Sequence, residues 1–206
     1  MNSSNRKNHW ENIYQTKKLS DVSWYQPIPE TSLTFFKQFE VPKQAKIIDV
    51  GGGDSFLVEH LLDLGYQNIS VLDISETAIE RVKQRLGDLA EKVTWINEDV
   101  SVFKPTQKYD LWHDRAAFHF LTDQNDISNY IESAYESLNP HGILILGTFS
   151  ESGPKKCSGI EIKQYSREEL VETFDAFFEN IDGINVDHST PFDTIQNFTF
   201  CSFRKR

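Results

Sequence analysis

Apolar residues follow two spacings along this 206-residue chain. Short runs bounded by polar or turn-forming residues recur at 46–50 (KIIDV), 68–73 (NISVLD), 92–97 (KVTWIN), 109–114 (YDLWHD) and 142–149 (GILILGTF). Their length and β-branched content predict strands. Between them the apolar positions fall three and four apart, the period of an amphipathic helix. Phe56, Leu57, Leu61, Leu62 and Leu64 mark a helix over 55–64, and Ile79, Val82 and Leu86 mark one over 76–87 with Ser75 as N-cap. Ile127, Tyr130, Ile131, Ala134 and Leu138 mark a third over 124–138, closed by NPHG. SREE at 166–169 reads as a capping box ahead of Leu170, Phe174 and Phe177, with further strands near 180–187 and 197–203. Strand–helix alternation at this spacing predicts a doubly wound α/β fold, a mostly parallel seven-stranded sheet with helices on both faces. We expect a single domain over 1–206, with the aromatic-rich first 45 residues forming a helical cap.

Composition narrows the partners. A content of 38% apolar and 13% aromatic residues argues against disorder. The net charge of −10 disfavours duplex nucleic acid and anionic membrane, which both reward basic surfaces. Two cysteines, Cys157 and Cys201, cannot staple a domain of this size, which fits a reducing cytoplasm. The start, MNSSNRKN, carries no apolar signal core, and the longest apolar run is far below the roughly 20 residues that span a bilayer. The expectation is a soluble cytoplasmic protein, monomer or homodimer. The closing RKR reads as a solvated tail.

The stretch IIDVGGGDS at 47–55 places three glycines where the first strand gives way to a helix, the end at which such sheets bind ligands. Glycine there lets the backbone approach a ligand with no Cβ between. A dinucleotide fingerprint needs G-x-G-x-x-G, and its third glycine falls on Phe56. Asp54 is also an unwelcome neighbour for a pyrophosphate at a helix N-terminus. NAD is therefore disfavoured. The spacing acidic-x-G-x-G-x-G is met by Asp49, Gly51, Gly53 and Ser55, with Gly52 between the two glycines and serine replacing the last one.

That spacing resembles motif I of the class I S-adenosylmethionine-dependent methyltransferases, and the resemblance spans about 45–150. It implies S-adenosylmethionine as cofactor and S-adenosylhomocysteine as product. Asp73, ending SVLDIS ahead of Ile74, stands where the family holds both ribose hydroxyls. Asp99 and Val100 in INEDV stand where it meets the adenine. His113, in WHDRAAFHF, stands near the methionine part and the acceptor. SLNPHGILIL looks like the family's turn into the fifth strand, with Gly142 keeping the turn. DRAAFHFL has some likeness to thiopurine methyltransferases. HWENIYQTKKLSDVSWYQ, KKCSGIEIKQYS and the last 20 residues look like segments of bacterial methyltransferases of this layout.

Each residue also has a plainer reading. The glycines make a tight turn without a ligand, Asp49 orders the glycine loop, Asp73 caps the following helix, and Asp99 is a solvated loop carboxylate. Trp10, Ile13 and Tyr14 share a helical face and read as packing. On the acceptor side the expectation is His113, Asp114, Arg115 and His119 around the methyl's exit, with Trp24 and Tyr25 covering it. His113 and His119 are the candidate proton acceptors, since imidazole titrates near physiological pH. His188 reads as structural, Cys157 as an exposed loop thiol. No metal is expected, because no H-E-x-x-H or C-x-x-C pattern is present.

The favoured activity is methyl transfer to a small-molecule or peptide acceptor, with protein lysine methylation as an alternative. A cofactor-binding regulatory protein without turnover is the reading from another class, and an NAD-dependent oxidoreductase is the weakest.

Overall fold

A computed structural model of the chain describes residues 3–206. In chain order the elements are α1 (Ser3–Thr16), α2 (Glu30–Gln38), β1 (Lys46–Val50), α3 (Leu57–Asp63), β2 (Asn68–Asp73), α4 (Glu76–Leu86), β3 (Val93–Asn97), β4 (Tyr109–Arg115), α5 (Gln124–Ser137), β5 (Leu138–Phe149), β6 (Lys156–Cys157), β7 (Ile160–Glu161), α6 (Arg167–Phe174), β8 (Phe178–Ser189) and β9 (Ile195–Lys205).

Seven strands form one sheet in the order β3-β2-β1-β4-β5-β9-β8, with β6 and β7 a separate two-stranded ribbon. The pairs from β3 to β5 are parallel, and β9 joins β5 antiparallel. The expected α/β sheet is therefore observed. Its order reverses between β1 and β4, and ligand crevices open outside the strand ends at such a switch point.

Both faces are covered. Ile127, Tyr130 and Ile131 of α5 and Leu170 and Phe174 of α6 pack with Trp112 and Leu144 on one face. Phe36 of α2, Leu57 and Leu61 of α3 and Val82 of α4 pack with Ile47, Val71 and Ile145 on the other. This is why strands such as β1 read as continuous apolar runs rather than alternating ones.

Local chemistry sets the element ends. The Ser75 hydroxyl accepts from the Ala78 amide to start α4, and Ser166 with Glu169 closes the capping box of α6. The turn expected from Gly142 is built differently. Leu138 already pairs with Tyr109, the left-handed residue is His141 at φ 64°, and Gly142 is needed because a Cβ would sit 2.9 Å from the Asn139 carbonyl. The closing RKR is not a loose tail. Lys205 donates to the Tyr135 and Leu138 carbonyls, and Arg206 pairs with Asp175.

Candidate functional site

The carboxyl ends of β1, β2 and β4 open onto one cleft, roofed by α1 and the segment after it. Asp49, Gly51, Gly52, Asp73, Ile74, Asp99, Val100, His113, Arg115, Trp24 and Tyr25 all border it. Gly53 lies in the same loop, its Cβ position 2.7 Å from Asp73 Oδ2 and 3.0 Å from the Tyr14 hydroxyl.

Each loop glycine is fixed by a near neighbour. A Cβ on Gly51, at φ +65°, would lie 2.6 Å from the Ala117 Cβ, and one on Gly52 would lie 2.5 Å from Asp49 Oδ2. The bare backbone thus lets β1 turn tightly against the start of the segment after β4. Asp54 is neutralised from α4, pairing with Arg81 at 3.2 Å and with Arg85. Its carboxylate therefore does not face the cleft as an uncompensated charge.

Two carboxylates line the cleft with capacity to spare. Asp49 Oδ1 accepts from His113 Nδ1 at 2.7 Å, while its Oδ2 is buried without a partner. Asp73 Oδ1 accepts the Ser75 amide at 2.8 Å. Burial, with Asp49 and Glu11 nearby, pushes the Asp73 carboxyl up to about 7 despite the amides of Ser75 and Gly53. A buried acid in this state gains from hydroxyl donors that favour its ionised form.

Asp99 is more occupied than the sequence suggests. It pairs with Arg6 of α1 at 3.0 Å and accepts the Ser101 amide at 2.9 Å. Arg6 also pairs with Asp126 at 2.6 Å. Glu11 of the same helix accepts from the Ser75 hydroxyl and the Glu76 and Thr77 amides. α1 is thereby pinned at both ends across the cleft, presenting Trp10 and Tyr14 to it. Arg6, Glu11 and Ser32 carry no motif. The aromatic-rich cap expected over 1–45 and the helical face of Trp10, Ile13 and Tyr14 pointed to this segment docking on the sheet, but not to these partners.

The histidines part company. His113 is held on both nitrogens, by Asp49 and by Ser32 Oγ at 2.9 Å, and both His113 and Ser32 border the cleft. His119 does not border the cleft. It is fully buried behind Phe120 and Phe149, its Nδ1 accepts the Phe149 amide at 3.2 Å, and burial beside Arg115 brings it down to about 3. A side chain held neutral that strongly is a poor proton acceptor, which corrects its expected placement. Asp114 is likewise in the core, taking the Tyr130 hydroxyl and the Ala117 and Phe118 amides, and burial raises it to about 6. It braces the turn after β4 and does not reach the cleft.

His188 Nε2 donates to the Ser23 carbonyl at 2.8 Å, a structural role. Cys157 is buried in the cleft wall, not exposed, and burial lifts its thiol to about 11. Among the described residues no group of three ligating side chains gathers for a metal, and no helix is long and apolar enough to cross a membrane.

Residues 48–144 match the family model described as a methyltransferase domain. The chain is 30% identical over 106 residues to malonyl-[acyl-carrier protein] O-methyltransferase 2 of Ilyobacter polytropus, covering 51% of this chain and 39% of that one. It is 29% identical over 122 residues to the eEF1A lysine and N-terminal methyltransferase of Mus musculus, covering 58% of this chain and 17% of that one. The chain thus spans well under half the length of these curated relatives. By structure it is similar to the N-methyltransferase NodS of Bradyrhizobium japonicum WM9 in complex with S-adenosyl-L-homocysteine, with TM-score 0.72, 15% identity and coverage of 96% and 98%.

Proposed function

We propose that this chain, which belongs to the class I S-adenosylmethionine-dependent methyltransferase family, is a cytoplasmic single-domain enzyme that methylates a small molecule. The observation that carries the reading is the pairing of a bare glycine loop at the end of β1 with the buried, hydroxyl-ready carboxylate of Asp73 at the end of β2, both on one cleft. In the residue set, Asp73 would hold the ribose hydroxyls, Ile74 and Val100 would pack on the adenine, and Asp99 with Arg6 would frame its edge. The unpartnered Oδ2 of Asp49 is an acceptor suited to the cofactor's ammonium. These groups fit S-adenosylmethionine and offer nothing dedicated to a pyrophosphate.

When bound, that cofactor would supply a methyl made electrophilic by its sulfonium. The chain then has to align the acceptor, exclude water and receive a proton if the acceptor carries one. The aromatic rings of Trp10, Trp24 and Phe120 meet edge to face at 4.9 and 5.8 Å and screen the cleft from solvent. For the proton, Ser32 Oγ passes its own to His113 Nε2 as it accepts the acceptor's, and Asp49 balances the imidazolium. His113 would act through Ser32, and His119 takes no part.

The narrow aromatic cleft favours a small acceptor over a folded protein. The likeness to a protein lysine methyltransferase keeps a flexible lysine as the second reading. A radiolabelled methyl-transfer screen against lysate fractions split into protein and small molecules tests both. Label in neither fraction, or thermal stabilisation by NAD and not by S-adenosylhomocysteine, would overturn the proposal.

A further inference from the structure

The arginines around the cleft differ in one respect. Arg6 is matched by Asp99 and Asp126, Arg81 by Asp54, and Arg85 by Asp54 and Glu59. Arg115, at the end of β4 and half-buried in the cleft wall, has no carboxylate in ion-pairing range among the described residues. Its Nη1 makes a single 3.4 Å bond to the Trp24 carbonyl, its Nη2 is shut off from solvent without a partner, and its guanidinium lies 5.0 Å from the Phe198 ring centre. Charged donors ordinarily bond at about 2.7–2.9 Å, and a guanidinium has five N–H groups to satisfy. This cation is under-coordinated in an apolar setting, an arrangement that costs free energy unless a partner anion arrives.

Position says which end of the cleft it serves. Asp73 lies on β2, on one side of the glycine loop, while Phe198 lies on β9, beyond β4 and β5 on the other. Trp24 and Phe198 touch the guanidinium, Phe120 and Phe149 line the same cleft, and among the described residues no carboxylate makes contact with Arg115. His119 and His188 flank it, and both are held below their ordinary value by burial first and by the Arg115 charge second. Burial pulls Arg115 itself down to about 10, opposed by Cys157 and by the Asp49 carboxylate, which acts from beyond ion-pairing range and leaves the guanidinium without a contacting anion.

We propose that Arg115 anchors an anionic group of the methyl acceptor, and that the acceptor is a small carboxylic acid with an apolar, preferably aromatic body. This rests on the methyltransferase reading and deepens it. The acid's carboxylate occupies the guanidinium fork, and its body lies among the rings of Trp24, Phe120 and Phe198. The Trp24 carbonyl bond, long and replaceable, gives way to it.

The test uses the full chain saturated with S-adenosylhomocysteine and matched acid and amide probes with phenyl, indolyl and alkyl bodies, such as 3-phenylpropionate against 3-phenylpropionamide. Calorimetry should find at least one acid binding tenfold or more tighter than its amide. Arg115→Met should erase that preference while S-adenosylhomocysteine affinity stays within twofold, and Arg115→Lys should restore part of it. Circular dichroism on both variants guards against misfolding. The proposal fails if no acid outbinds its amide, or if the preference survives in Arg115→Met. It also fails if Arg115→Met weakens S-adenosylhomocysteine tenfold, which would make the cofactor's own carboxylate the anion. Wild-type chain that binds no S-adenosylhomocysteine at all defeats the underlying reading instead.

Discussion

Asp49 and His113 are register partners on the adjacent parallel strands β1 and β4, and their side chains are joined at 2.7 Å. Strand pairing therefore places the acid beside the imidazole, and α2 supplies Ser32 from above. The Nδ1–H donates to the carboxylate, which leaves Nε2 to accept from the serine hydroxyl.

His113→Ala would leave both Asp49 oxygens buried without a partner. An unsatisfied buried charge of this kind costs about 1–3 kcal/mol or more, readable as a lowered urea midpoint. Ser32→Ala removes one hydroxyl and should cost only about 1 kcal/mol. If the proton path runs through Ser32, that variant loses turnover with S-adenosylhomocysteine affinity unchanged. Full turnover in Ser32→Ala would confine the pair to a structural role.

If Asp73 holds the ribose, the cofactor affinity acquires a pH dependence. Its carboxyl is raised to about 7 in the free protein, and ribose hydroxyls bond best to the ionised form. Affinity should rise with pH up to about 7, by at most tenfold per unit, then level off. Asp73→Asn should flatten the profile and lose about 1.5–3 kcal/mol per charge-assisted bond at most. A flat wild-type profile between pH 5.5 and 8 would remove Asp73 from the ribose.

His119 and the two raised acids pull stability in opposite directions. His119 is depressed to about 3, so its contribution is complete above 6.5 and is lost as pH falls below that. Asp73 and Asp114 are raised, so theirs is complete below about 3.8 and is lost as pH rises through about 6 to 7. His119→Ala strands the Phe149 amide and should lower stability by about 1–3 kcal/mol, most clearly above pH 6.5. His119→Asn, which keeps an acceptor for that amide, should recover part of it. Turnover per folded molecule should be nearly unchanged, and a pH-dependent loss of turnover alone would return His119 to the mechanism.

The strands could be read ahead of the structure because both sheet faces are buried, which makes β1, β2 and the 142–149 part of β5 largely apolar along their length. Ser75 and Ser166 were legible for a different reason, since caps act within three or four residues of themselves. The glycine loop and Asp73 follow from strand ends. What lay out of reach was pairing across long separations: Arg6 with Asp99, Ser32 with His113, Arg85 with Asp54. Nothing in local spacing records such a partner. His119 and Asp114 show the same limit from the other side. A position at or past a strand end does not say which way a side chain faces, and here Asp114, next to last in β4, and His119, beyond it, both face inward.

Gly51 separates a conformational requirement from a steric one. Gly51 and Gly65 both have positive φ, at 65° and 87°, but a Cβ on Gly65 meets nothing within 4 Å. Gly65→Ala should therefore cost only the left-handed strain, about 1–2 kcal/mol, and leave cofactor binding alone. Gly51→Ala carries the same strain and drives its methyl to 2.6 Å from the Ala117 Cβ. The loop or the turn after β4 must then move, and both border the cleft. S-adenosylhomocysteine affinity should fall at least tenfold, with a larger stability loss than in Gly65→Ala. Adding Ala117→Gly removes the colliding carbon and should restore most of that difference, leaving the strain. If the double variant binds no better than Gly51→Ala alone, the contact with Ala117 is not what reserves this position for glycine.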